Sequence, residues 1–244
     1  MSEYKKIHGI HIQALASDPS NLGAGQVWYN TTTNKLKITA VSTSGAWASG
    51  GNMATARYYL AGTGTQTAGL AFGGRTPSTT NATENYDGSA WTAGTSMPTA
   101  RYYGIGAGTQ TSALVFSGYD GTSKPAATEE WNGSSWTAGG NMANTRSASG
   151  GGTQTSAIAF GGGYPSTNVT EEYDGSAWTS GGNLSTARMN MAGAAANRDS
   201  ALAFGGNANG VPPTNVTEHY DGSAWTAGGN LATARNNLGG LGTL

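Results

Sequence analysis

Apolar residues in this chain come in short runs set far apart. The clearest are GLAFGG (Gly69–Gly74), ALVFSG (Ala113–Gly118), AIAFGG (Ala157–Gly162) and ALAFGG (Ala201–Gly206). Such runs, bounded by glycine, read as buried β-strands and are too short for packed helices. Downstream of each lies a stretch that alternates. In Asn168–Tyr173 (NVTEEY) the period of two puts Val169, Glu171 and Tyr173 on one face. A DG or NG turn follows and returns a strand of the form SAWTAGG, as in Ser176–Gly182 (SAWTSGG). Upstream of each run are small-residue segments, residues 102–108, 147–152 and 189–195, three of the four apolar runs being entered through a GTQT turn. One unit therefore predicts four antiparallel strands, a to d.

The unit repeats. Trp47, Trp91, Trp136, Trp178 and Trp225 are spaced by 44, 45, 42 and 47 residues, and each is followed ten residues later by arginine: Arg57, Arg101, Arg146, Arg188 and Arg235. Glu84, Glu129, Glu171 and Glu218 stand seven residues before the last four tryptophans, with Ala40 at that spacing before Trp47. A period in the forties fits propeller blades or helical solenoids, and the abundance of Gly, Thr, Ser and Asn selects the former.

With paired glycines ending strand b (Gly73–Gly74, Gly161–Gly162, Gly205–Gly206), a YDG…W hairpin and an arginine opening each next unit, residues from about 25 to 244 resemble kelch repeats. Ser117 departs from the glycine pair. The resemblance implies an all-β, five-bladed kelch-like β-propeller of four-stranded antiparallel blades. Only four units are complete. Gly25–Asn30 and Lys35–Trp47 supply strands b to d of a fifth, and the segment after Arg235 supplies its strand a. The expected ring is closed by a composite blade made from both termini, which leaves no open sheet edges. The domains expected are an N-terminal tail, residues 1–22, and a propeller, residues 23–244.

Strand alternation puts the a–b and c–d turns on one face and the b–c and d–a connections on the other. The first face is nearly constant between repeats and the second varies. Tyr58, Tyr59, Tyr102 and Tyr103 begin strand a; Arg75, Tyr119, Asp120, Tyr164, Asn207 and Asn209 occupy b–c loops. A constant scaffold with a variable rim is the arrangement of a binding face. Its tyrosines and asparagines suit sugar stacking and polar contacts.

Composition narrows the chemistry. The 244 residues carry a net charge of −1 and 10% charged residues, which gives no electrostatic reason for a nucleic-acid or anionic-membrane partner. No cysteine is present, which removes thiolate metal sites and cysteine nucleophiles. The start, MSEYKKIHGIHIQALASD, lacks the apolar core of a signal peptide, and no window approaches a membrane span. His8 and His11 are two imidazoles without a third ligand, a weak candidate for metal, and no cofactor is expected. The once-per-blade arginines and glutamates read as internal charge pairs rather than catalysts, since a buried carboxylate needs a partner. The expectation is a non-enzyme.

Ser17–Ile38 (SDPSNLGAGQVWYNTTTNKLKI) is similar to a segment that opens β-rich fibre or appendage subunits in tailed-bacteriophage virions. The resemblance implies a virion structural protein made in the host cytoplasm. Its tail would dock on other virion subunits, and its variable face would meet a host-surface protein or glycan; a homo-oligomer is compatible. Competing classes are a kelch-type protein-interaction module and a secreted lectin-like binding protein.

Overall fold

The structure, a computed structural model, describes residues 4–7, 10–19, 27–38, 49–240 and 242. Twenty strands form five four-stranded sheets, and no helix occurs among the described residues. No helix is therefore long and apolar enough to cross a membrane. The chain divides into two compact units, Met1–Ser49 and Gly50–Leu244.

The first unit holds β1 (Tyr4–Ile7), β2 (Ile10–Leu15), β3 (Val27–Asn30) and β4 (Lys35–Ile38), in that order across one sheet. β3 and β4 form the expected hairpin. The other edge of β3, where the C-terminal segment was expected, is paired in parallel with β2. That edge is held because Thr31 N and Thr32 Oγ1 donate to the carbonyls of Leu15 and Ala16, at 2.8 and 2.5 Å. Asp18 adds a second tie. Its carboxylate accepts from Trp28 Nε1 (3.0 Å), Asn30 Nδ2 (2.8 Å) and Lys37 Nζ (2.6 Å). Asp18, Trp28, Asn30 and Lys37 all lie within residues 17–38. The segment 1–22, expected as a separate tail, thus supplies two strands of the same sheet as β3. Trp47, Ala40 and His8 lie outside the described residues.

The second unit contains four sheets, each in the order a-b-c-d that the repeat predicts. They are β5 (Ala61–Thr65), β6 (Ala68–Phe72), β7 (Thr83–Tyr86) and β8 (Trp91–Gly94); β9 (Ile105–Gly108), β10 (Ala113–Phe116), β11 (Glu129–Trp131) and β12 (Trp136–Ala138); β13 (Ser149–Thr153), β14 (Ser156–Phe160), β15 (Thr170–Tyr173) and β16 (Trp178–Ser180); β17 (Ala192–Asn197), β18 (Ser200–Phe204), β19 (Thr217–Tyr220) and β20 (Trp225–Ala227). The a strands β5, β9, β13 and β17 lie side by side in sequence, and the arrangement is β-propeller-like.

Strand a is small because it is crowded. A Cβ on Gly106 would stand 2.7 Å from Gly62 O and 2.9 Å from Phe72 Cζ. After Arg235 the chain forms no further strand among the described residues, yet it keeps this relation. A Cβ on Gly240 would stand 2.5 Å from Gly193 O and 3.0 Å from Phe204 Cζ.

The tryptophans bind blade to blade. Trp136, Trp178 and Trp225 each pack on the phenylalanine of the preceding strand b, Phe72, Phe116 and Phe160, at centroid distances of 5.2, 4.9 and 4.8 Å. Each indole N–H donates to a buried threonine of the preceding strand c: Thr83 (3.0 Å), Thr128 (2.8 Å) and Thr170 (2.9 Å). Such a pair is worth about 0.5–1.5 kcal/mol beyond its buried area. At the two ends of the described series Trp91 and Phe204 are only half-buried.

Candidate functional site

The repeated charges come together inside each sheet. Arg57–Glu84 (2.7 Å), Arg101–Glu129 (3.0 Å), Arg146–Glu171 and Arg188–Glu218 (2.6 Å) are ion pairs, and every one of these side chains is at most 4% exposed. The arginines also bind backbone carbonyls at both ends of the b–c loop. Arg101 Nη1 donates to Ser117 O (3.1 Å) and Ala127 O (2.8 Å), and Arg188 Nη1 to Gly205 O (2.8 Å) and Val216 O (3.0 Å). The carboxylates accept from the d–a connection: Glu84 from Ala54 N, Glu129 from Thr99 N and Glu218 from Ser185 N, at 2.8, 3.0 and 2.8 Å. One fork thus clamps the two loops that form the variable rim. Burial pulls Arg101 below its ordinary value while Glu129 opposes that shift. Among the described residues Arg235 has no such carboxylate; it is exposed and its Nε donates to Thr233 O.

Ser117 takes the place of a glycine at φ 63°, close to Gly73 (66°) and Gly205 (65°). Its hydroxyl compensates for the left-handed backbone. Oγ donates to Arg146 O (2.6 Å) and accepts from Ala148 N (2.8 Å), joining one blade's b–c loop to the next blade's entry.

The opposite, constant face is explained by side chains as well as by hairpin geometry. The c–d turn spans four residues, with Asp87, Asn132, Asp174 or Asp221 accepting from the two backbone N–H groups that follow the glycine. This asx geometry is open to either residue type. It holds the Asp87 and Asp174 carboxyls down at about 2, through the Ala90 and Ala177 N–H groups first and then the serines. In the GTQT turns, Gln110 Nε2 reaches back to Gly69 O (3.0 Å) and Tyr86 O (2.6 Å), and Gln154 Nε2 to Ala113 O (3.1 Å) and Trp131 O (2.7 Å). A second inter-blade tie joins Tyr173 OH to Glu130 (2.5 Å) and Tyr220 OH to Glu172. Burial, and then these carboxylates, push both phenols up to about 12.

On the variable face the side chains stand on regular backbone rungs. Tyr58 and Arg75 exchange N–H···O bonds at 3.1 and 2.8 Å, Tyr102 and Tyr119 at 2.9 and 2.8 Å, and Met189 and Asn207 at 2.8 and 2.9 Å. The next residue is left-handed in three of the sheets and in the C-terminal segment: Tyr59 (φ 56°), Tyr103 (55°), Asn190 (55°) and Asn237 (52°). Each such non-glycine residue costs on the order of 1–3 kcal/mol. Tyr103 N donates to Tyr59 O (3.0 Å) and Asn237 N to Asn190 O (2.9 Å), linking neighbouring entries.

Five tyrosines and a cation result. Ring centroids lie 4.2 Å apart for Tyr59–Tyr103, 4.9 Å for Tyr58–Tyr59, 5.1 Å for Tyr102–Tyr103 and 5.5 Å for Tyr102–Tyr119. Arg75 sits over Tyr102 at 5.1 Å. Tyr58, Tyr59 and Tyr103 are still 46–49% exposed. Desolvation, with the Tyr59 hydroxyl second, pushes Tyr103 up to about 12, so its hydroxyl is neutral and can donate at ordinary pH.

Beside this cluster lies a depression of about 790 Å³ lined by the entries to the four a strands and by the segment after Arg235. Tyr59, Tyr103, Lys124, Tyr164, Asn190 and Asn237 contribute side chains, and no carboxylate does. Asn207 Oδ1 accepts from Asn190 and Asn236 at 3.1 and 3.2 Å, and Asn209 Oδ1 from Ser166 N at 3.3 Å. Asp120 is consumed by its own loop, accepting from Thr122 N (2.7 Å) and Ser123 N (2.6 Å).

Of the ten rim residues singled out from sequence, Tyr59, Tyr103 and Tyr164 line the depression, and Tyr58, Tyr102, Tyr119 and Arg75 flank it. Asn207 and Asn209 brace it, and Asp120 is turned to structure. Lys124 was missed, and Asn190 and Asn237, variable strand-a starts in the sequence, were not among the ten. The last two share with Tyr59 and Tyr103 the position two residues after the repeat arginine, a regularity that names them directly. Among the described residues no group of three or more His, Asp or Glu could hold a metal ion. His11 falls in β2. A scan of protein-family models finds none that matches this chain, and no curated protein matches it significantly.

Proposed function

We propose that this chain is a non-enzymatic structural protein of a tailed-phage virion. In this reading its four repeated sheets are blades of a kelch-like propeller that presents its tyrosine rim to a host-surface glycan or protein. The observation that carries the binding role is the mounting of variable side chains on hydrogen-bonded rungs around one depression. Backbone bonds keep the geometry there, so side-chain identity is free to follow a ligand. Strained tyrosines held by buried Arg–Glu forks fit the same reading, because strain collects where side chains must be aimed.

A fifth inner position draws support from the C-terminal segment, which packs on β17 and β18 as an inner strand would and completes the lining of the depression. The virion assignment rests on the resemblance of residues 17–38, whose Asp18, Trp28, Asn30 and Lys37 form one cluster. The N-terminal unit is then the part that docks on other virion subunits.

Cryo-EM of purified phage particles, with mass spectrometry of the same preparation, tests the assignment. The expected result is density for this chain with the N-terminal unit embedded and the tyrosine rim outward. Absence from particles, with recovery of a soluble protein complex instead, would replace this reading with a protein-interaction module.

A further inference from the structure

We infer that the depression takes an anionic saccharide, with Lys124 receiving its carboxylate. The inference rests on the binding role proposed for the rim and specifies the chemistry of its ligand. Lys124 lies in the b–c loop of the second blade, half-buried, and lines both the main depression and a smaller one beside it. Among the described residues it has no hydrogen-bond or ion-pair partner. The neighbouring acid does not serve it, since the Asp120 carboxylate is taken by Thr122 N, Ser123 N and Ser123 Oγ.

The wider charge pattern agrees. Once the four buried Arg–Glu pairs are set aside, the rim face carries Arg75, Lys124 and Arg235 against Asp120. The turn face carries Asp87, Asp174, Asp199 and Asp221 against Arg198, while Glu130 and Glu172, on the c strands, accept from the Tyr173 and Tyr220 hydroxyls. The second unit thus has faces of opposite sign, and the depression, with Lys124 in its lining, opens on the cationic one. Long-range attraction would bring an anionic chain to that face. Tyr59 and Tyr103 offer apolar ring faces for the pyranose, while Asn190, Asn237 and the neutral Tyr103 hydroxyl offer hydrogen bonds to its hydroxyl groups. No carboxylate lines the depression to repel the acid.

The test is an array of bacterial surface polysaccharides in which every acidic member is also printed after carboxyl reduction. It is probed with wild type, Lys124→Met and Tyr103→Ala, at low and high salt. Binding should favour acidic members, fall on carboxyl reduction and weaken with salt. Lys124→Met should lose about tenfold on acidic members, the scale of one charge-assisted hydrogen bond, and nothing on reduced ones. Equal binding to acidic and reduced forms, or an unaffected Lys124→Met, overturns the anionic ligand while leaving the rim as a saccharide site. Binding that survives Tyr103→Ala, or no binding to any member, counts against the saccharide rim as well.

Discussion

Replacing Arg101 by methionine tests the fork that holds the rim. The change keeps most of the aliphatic stem and removes the guanidinium. Glu129 is then left 3% exposed with Thr99 N as its remaining donor, and Ser117 O and Ala127 O lose their partner. Breaking a buried pair from one side costs about 3–5 kcal/mol. The charge contribution has a ceiling, because the variant can neutralise Glu129 by taking up a proton. At pH 7, protonating an ordinary glutamate costs about 4 kcal/mol, at roughly 1.4 kcal/mol per pH unit. The two orphaned carbonyls add about 1–3 kcal/mol each unless water reaches them.

The proton route gives the prediction a pH signature. A carboxyl that is easier to protonate when folded than when unfolded gives stability that is complete below its unfolded value and lost as pH rises. The deficit of Arg101→Met should therefore be largest at neutral pH and shrink by a few kcal/mol towards pH 4, about where an unfolded glutamate titrates. Urea melts followed by tryptophan fluorescence, at a series of pH values, measure it. Arg235→Met is the internal control, an exposed arginine for which a change within about 0.5 kcal/mol is expected. If the two variants lose equal stability, or the Arg101→Met deficit ignores pH, the fork does not hold the loops and the argument fails.

Ser117→Ala removes both hydroxyl bonds and keeps the left-handed backbone, so a loss of about 2–3 kcal/mol is expected; Ser117→Gly relieves the backbone and should lose less, and the two melts compare directly. Gln154→Ala leaves Ala113 O and Trp131 O without that donor and should cost about 1–3 kcal/mol, with faster amide exchange at the junction of the second and third blades. Asp87 and Asp174 titrate near 2 when folded, against an ordinary value of 3.8, so their contribution is complete above about pH 4 and is lost as pH falls through 2. Asp174→Asn should keep the turn, as Asn132 does, and flatten that acid limb in pH-dependent thermal melts.

Periodicity carried most of the fold. Strands b and c follow from apolar runs and alternation, and the turns between successive strands set their order within each sheet. Contacts between blades were much less legible. Gln110 and Gln154 bind backbone carbonyls, which every residue possesses, so their partners leave no trace in side-chain pattern. The N-terminal sheet was missed for a related reason. β1 and β2 lack the repeat's glycine and tryptophan markers, and Asp18, which ties the end of β2 to β3 and β4, is one polar residue in a stretch read as a docking tail. Lys124 was overlooked because a lone lysine in a surface loop is ordinary until the carboxylates around it are seen to be engaged.

The Tyr173–Glu130 and Tyr220–Glu172 bonds bear on how such a gene can change. Five near-copies of one sentence invite recombination that excises a blade in frame, and nothing in the Trp, Arg or Gly pattern would resist the new junction. The tyrosine does. The first blade carries Asn85 where the next two carry Glu130 and Glu172, and the second blade answers it with Trp131, whose Nε1 donates to Gln110 O at 2.8 Å. Deleting the second blade would set Tyr173 against Asn85, a shorter and uncharged acceptor. The interfaces thus mark the first blade off from those that follow: loss of the third would restore a Tyr–Glu bond, Tyr220 to Glu130, whereas loss of the second would not.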